Sequence, residues 1–150
     1  MQVFVPYKNV IDTAKAMWAD SRRYNKAIIE LKQIIAAIDG AKSWRNHPVC
    51  LMYKEHKDWL ICYANCFTSY RDYMNTKDIK FLNQAVIWSK NAELCEPKFL
   101  SLDDLILQHR KRLFTKSPDK YPQFAEYGTS DINYYVVNGK LLKYKDGKRI

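Results

Sequence analysis

The chain has 150 residues, with 25 Lys and Arg against 16 Asp and Glu, a formal charge of +9. That length suits one domain with a sizeable core, and the cationic surplus points to a polyanionic partner, nucleic acid first. No apolar run approaches the ~20 residues of a spanning helix and no charged-then-apolar leader opens the chain. A membrane partner is therefore set aside, and the expected location is the cytoplasm, on the nucleoid or in a host cell if phage-encoded.

In chain order, Val3 to Tyr7 reads as extended, and Asn9 is placed to cap a brief helix through Trp18. A long helix follows from about Asp20 to the Asp39-Gly40 stop, with Ile28, Leu31, Ile35 and Ile38 as its apolar stripe. The loop Ser43-Trp44-Arg45-Asn46-His47 comes next, with Trp44 reading as core packing and Arg45 as the better candidate for a contact to the partner, and Pro48 suits the first turn of another helix. Glu55 to Tyr73 continues helically with Trp59, Cys62, Tyr63, Cys66 and Tyr70 on one side, and Thr76 to Lys90 keeps helical spacing. Ser101-Leu102-Asp103-Asp104 reads as a capping start for a helix to Thr115, which Pro118 and Pro122 stop. Tyr134 to Tyr144 around Asn138-Gly139 is a type I′ hairpin pattern, with a second turn at Asp146-Gly147. The expected fold class is all-α: a compact helical bundle over residues 1–127, with a small C-terminal β-hairpin over 128–150 as an extension of the same domain.

Several chemistries find no support. Four scattered glycines make no phosphate-cradling loop, and His47, His56 and His109 have no paired ligand spacing. Neither a metal nor a cofactor is expected. Cys50, Cys62, Cys66 and Cys95 lack a paired CxxC pattern and read as free, mostly buried thiols.

The stretch Asp20 to Glu30 is the most informative. Helical geometry sets Arg23 about 20° and Lys26 about 40° from Glu30, with Arg22 a little further round. An acid on that basic rim repels phosphate unless it does chemical work. The plain alternative is an i,i+4 pair between Lys26 and Glu30, which stabilises a helix by roughly 0.2–0.5 kcal/mol. Spacing leaves both readings open, the plain pair being the commoner.

Met1-Gln2-Val3-Phe4-Val5-Pro6-Tyr7, the Asp20/Arg22/Arg23/Lys26/Glu30 frame and Trp44-Arg45-Asn46-His47-Pro48 are similar to segments of the pyrimidine-dimer DNA glycosylase and AP lyase family, of phage endonuclease V type, in its shorter bacterial-type branch. A fourth segment, His109-Arg110, Leu113, Lys116, Pro118 and Tyr121, extends the resemblance to about Tyr127. It implies an enzyme that flips a nucleotide from double-stranded DNA and cuts the glycosidic bond of a damaged pyrimidine, acting as a monomer. In that family the N-terminal α-amine attacks C1′ to form a Schiff base while a helix glutamate serves the proton transfers and strand cleavage. By position the glutamate is Glu30 and the nucleophile is Met1 itself or another group, since Gln2 disfavours methionine removal where the phage enzyme exposes a small hydroxyl residue. The resemblance implies DNA contacts at Arg22, Arg23, Lys26, Arg45, His47, His109 and Arg110. Tyr134, Tyr135 and Tyr144 are candidates for stacking on bases or, equally, for cross-strand packing. The other open reading is a non-catalytic DNA-binding protein on the same scaffold.

Overall fold

Capping side chains open three of the six α-helices in this computed structural model, which describes all 150 residues. Asn9 accepts from the backbone of Ile11 and Asp12 and opens α1 (Val10–Met17), and Asp20 precedes α2 (Ser21–Ile38). His47 Nδ1 accepts from Val49 N and opens α3 (Pro48–Met52), whose proline needs no donor in the first turn. A left-handed Lys77 closes α4 (Lys57–Thr76), and the Asp78 carboxylate accepts from Lys80 N to start α5 (Ile79–Leu94). The helix expected from Thr76 therefore begins after a tight turn and runs on to Leu94. Ser101 ends a 3-10 turn, and α6 (Asp103–Lys116) starts from Leu102 with no side-chain cap. Asp103 and Asp104 instead place negative charge on its first turn, where the helix dipole favours it.

The expected α2 stripe holds at Ile28 and Leu31 and shifts by one residue beyond them. Tyr24, Ile28, Leu31, Ile34 and Ala37 are buried, whereas Ile35 and Ile38 are only partly covered. Tyr24 stacks on Phe67 of α4 at 4.6 Å, and its hydroxyl donates to the Phe67 carbonyl, which rotates the helix toward that side. The α4 face carries Trp59, Tyr63 and Phe67 in successive ring contacts, while α5 presents the small residues Ala85, Ser89 and Ala92. Small residues allow two backbones to approach closely, so α4 and α5 form an antiparallel hairpin of helices. All four cysteines are free, with Cys50, Cys62 and Cys66 buried and Cys95 partly covered.

After a second 3-10 turn (Pro122–Tyr127), β1 (Ile132–Val137), β2 (Lys140–Lys145) and β3 (Lys148–Arg149) form an antiparallel sheet in sequence order. Both turns carry the paired positive φ of type I′ geometry, at Asn138 and Gly139 and at Asp146 and Gly147. Tyr135 and Val136 are buried in the main core, so β1 is packed on the helical body. No helix is long and apolar enough to cross a membrane.

Candidate active site

Residues 1–5 join neither a helix nor the sheet and a bend follows at Pro6 and Tyr7, so the backbone groups of this segment need other partners. Side chains from four elements supply them. Tyr135 of β1 donates to the Met1 carbonyl at 3.0 Å and Tyr63 of α4 to the Phe4 carbonyl at 2.7 Å. His109 Nδ1 accepts from Val5 N at 2.8 Å, Arg110 Nε donates to the Pro6 carbonyl at 2.7 Å, and Thr13 of α1 donates to the Tyr7 carbonyl at 3.1 Å. With Gln2 to Pro6 buried, the segment is pinned along its length, and the chain start is fixed in space rather than trailing.

That start opens on a pocket of about 70 Å³. Met1, Gln2 and Phe4 form one wall, Arg23, Lys26, Ala27 and Glu30 of α2 a second, and Arg112 and Lys116 of α6 with Asn133 of β1 the remainder. The Glu30 side chain is only 17% exposed, and its carboxylate lies 3.6 Å from the Lys26 ammonium, itself 66% exposed. The plain i,i+4 pair thus forms, but at the mouth of a pocket where four cationic side chains surround one carboxylate. Arg23 is steered there by Asp20, whose Oδ2 accepts from Arg23 Nε at 2.9 Å and from the Tyr121 hydroxyl at 3.1 Å. Arg112 is held by Asn133 Oδ1 at 3.0 Å and the Ser130 carbonyl at 3.1 Å. Partial desolvation lowers the Lys116 ammonium from its usual range; the charges of Arg112, Arg23 and Lys26 push the same way, and Glu30 opposes them. A site so biased toward positive charge favours phosphate, and the carboxylate beside a primary amine adds a proton carrier.

The family model of the pyrimidine dimer DNA glycosylases matches residues 1–80, just over half of the 150. The chain belongs to that family. No curated protein and no solved structure matches it. The matched span holds the pinned N-terminus, the α2 wall of the pocket and the Trp44 to Pro48 loop, whereas α6 and the sheet lie beyond it.

Of the glycosylase residues expected from sequence, Met1, Glu30, Arg23 and Lys26 come together in the pocket. Arg22 is exposed on α2 and Arg45 on the α2–α3 loop, both outside its walls. His47 caps α3 and stacks edge-on against Tyr135 at 5.8 Å, close enough to the chain start that the N-terminal charge, after burial, lowers its pKa. His109 and Arg110 require correction. His109 is 1% exposed with Nδ1 bonded to Val5 and Nε2 beside the Gln2 amide at 3.0 Å, so it has no nitrogen to offer a phosphate. Arg110 spends its guanidinium on the Pro6 carbonyl, the Tyr127 hydroxyl and the faces of Tyr7, Phe124 and Tyr127. The cations that α6 brings to the pocket are Arg112 and Lys116, at i,i+4 on one helix face. The buried positions Leu105, His109 and Leu113 recur every four residues, a signal that turns His109 inward and leaves Arg112 and Lys116 to one side.

Proposed function

We propose that the protein excises damaged pyrimidines, such as pyrimidine dimers, from duplex DNA, with the Met1 α-amine as nucleophile and Glu30 as proton carrier, and that it also cleaves the strand at the resulting abasic site. The observation that carries this reading is the shared pocket of Met1 and Glu30 within four cations. An α-amine has a reference pKa near ~7.7–8.0 against ~10.4 for lysine, so a useful fraction is neutral at physiological pH without deep burial. Attack on C1′ forms a carbon–nitrogen bond as the glycosidic bond breaks, the base leaving with a proton from solvent and the attacking amine passing one of its own to Glu30. Glu30 returns that proton to O4′ as the C1′–O4′ bond opens, which gives the Schiff base. Glu30 then takes the C2′ proton from the Schiff base, which releases the 3′ phosphate by elimination. Arg23, Lys26, Arg112 and Lys116 hold the flanking phosphates and offset the charge of the carboxylate. Further round α2 and on the α2–α3 loop, the exposed Arg22 and Arg45 extend the phosphate-binding surface. The imidazole of His47 belongs to the nucleotide side of the site through Tyr135.

Borohydride trapping tests the assignment. Intact mass should retain Met1, and reduction with abasic duplex should yield an adduct whose cross-linked peptide begins at Met1. Acetylating the terminus, which removes the amine, should stop trapping and leave duplex binding nearly unchanged. An adduct on Lys26 or Lys116 would keep the lyase and overturn Met1 as nucleophile. Salt provides a second measurement: the affinity should fall steeply, and Arg23→Gln or Arg112→Gln should each lower the log-log slope by about one unit. A flat dependence would contradict phosphate-dominated binding.

A further inference from the structure

Gln2 brings an amide to the pocket wall beside Met1, and one end of that amide has no partner. The residue is only 8% exposed. One end of the amide lies 3.0 Å from His109 Nε2, while the other is buried with no hydrogen bond. The Tyr53 hydroxyl is the one other buried side-chain polar atom in that condition, and Tyr53 lines no part of this pocket. A buried polar group left unpaired costs stability, so one that stands in the wall of a site points to a ligand.

The tautomer of His109 decides what the free end is. Its Nδ1 accepts from Val5 N at 2.8 Å and so carries no proton. A neutral imidazole has one, which is then on Nε2, and that nitrogen donates. The end of the Gln2 amide that faces it must accept, which only the oxygen can do. A half-turn of the amide about its last bond keeps its outline, sets the oxygen against the His109 Nε2–H and leaves the NH2 group at the unpartnered position. The free end is therefore a donor. His109 fixes it there, because the same imidazole holds the backbone at Val5 and is itself buried.

We infer that the Gln2 side-chain amide donates a hydrogen bond to O4′, the ring oxygen of the sugar that Met1 attacks. This rests on the base-excision reading above. Arg23, Lys26, Arg112 and Lys116 already serve phosphate oxygens, whereas an uncharged amide suits an uncharged ether oxygen. The other amide of the pocket, Asn133, is committed through its oxygen to Arg112. A donor on the residue next to the nucleophile lies near whatever is bonded to C1′, and O4′ is bonded to it in every substrate, with its base or without it. The contact gains strength at one step. As the C1′–O4′ bond opens and Glu30 delivers its proton, electron density collects on O4′, and a fixed donor stabilises that oxygen more than it stabilises the closed ring. Gln2 keeps both amide protons throughout, so the proton count of the reaction is unchanged.

The test compares two duplexes that differ in that one atom, the first with a tetrahydrofuran abasic analogue and the second with its cyclopentane counterpart, where a methylene replaces O4′. The full-length wild type should prefer the tetrahydrofuran duplex by about 2- to 12-fold, the range for one uncharged hydrogen bond. Gln2→Glu keeps an oxygen for His109 and loses the donor, and Gln2→Met loses both without adding charge; intact mass checks that each retains Met1. Both variants should bind the two duplexes equally, and the ratio cancels any general effect of a substitution on folding or charge. Borohydride trapping on a natural abasic duplex should slow by about 10- to 150-fold in each, the range for a hydrogen bond to an oxygen that gains charge. Equal binding of the two duplexes by the wild type, or a preference that survives in Gln2→Glu, would overturn the inference while leaving the enzyme reading intact. Failure of the wild type to form any trapped adduct would overturn both.

Discussion

Glu30→Gln should abolish base release and strand cleavage, with a loss of about 10²- to 10⁴-fold, the usual contribution of a positioned general acid or base. Its affinity for duplex DNA should hold or rise, because the substitution removes the one carboxylate among four cations. The fold should be little affected. The side chain has one ion pair, to a Lys26 that is 66% exposed, and exposed pairs contribute at most about 1 kcal/mol. Activity and stability should therefore separate in this variant. Base release and nicking on ultraviolet-irradiated duplex, measured beside the melting temperature, check it. Wild-type nicking by a normally folded Glu30→Gln protein would remove Glu30 from the mechanism.

The parts of this fold that were legible in the sequence are those decided by local chemistry. Asn9, Pro48 and the Asn138-Gly139 and Asp146-Gly147 pairs act through their own backbone and neighbouring groups, and the helices and turns they announce are present. Where a boundary lacks such a marker, the reading drifts. The end of α4 relies on a lysine in the left-handed region, a position for which glycine is the usual signal, so helical spacing from Thr76 runs through the turn although Asp78 caps the true start of α5. Past Leu31 the apolar stripe of α2 shifts by one residue, because Ile34 and Ile35 are equally apolar and spacing does not choose between them. Only the Tyr24–Phe67 stack decides which of them faces inward.

The site divides along the same line. Arg23, Lys26 and Glu30 share one helix, so a period of 3.6 residues sufficed to bring them together. Arg112, Lys116, Asn133 and Tyr135 join them from more than 80 residues away, through packing of α6 and β1 that no local pattern encodes. Charge adjacency misled at His109-Arg110-Lys111-Arg112, where the run conceals alternate faces: His109 and Arg110 brace the N-terminal segment, and Arg112 reaches the pocket. Trp44 misled in the opposite sense. By residue type a loop tryptophan reads as core, and the left-handed backbone that turns it outward has no sequence marker at that position.

Stability should fall on mild acidification, with His109 as a principal cause. Complete burial, reinforced by the Arg112 charge, holds this imidazole down to a pKa of about 3, against 6.5 for an ordinary histidine. Between those values the unfolded chain binds a proton that the folded chain refuses, so the folded state loses ground as pH drops. The contribution is complete above about pH 6.5 and declines below it by about 1.4 kcal/mol per pH unit until the folded group titrates. Burial lowers His47 and His56 as well, so the total slope contains more than one histidine. His109→Asn isolates this one, since an amide oxygen can still accept from Val5 N while nothing titrates. Urea unfolding at intervals from pH 7 to pH 4 should show the variant less stable at neutral pH, by about 1–3 kcal/mol for the lost packing and the weakened bond. Its stability should then decline less steeply, by nearly one proton's worth of slope. In the folded chain His109 stays neutral through this window and keeps its bond from Val5 N, so the segment that carries Met1 is released only as the protein unfolds. Parallel pH profiles for wild type and variant would show that His109 is not the group whose burial opposes acid.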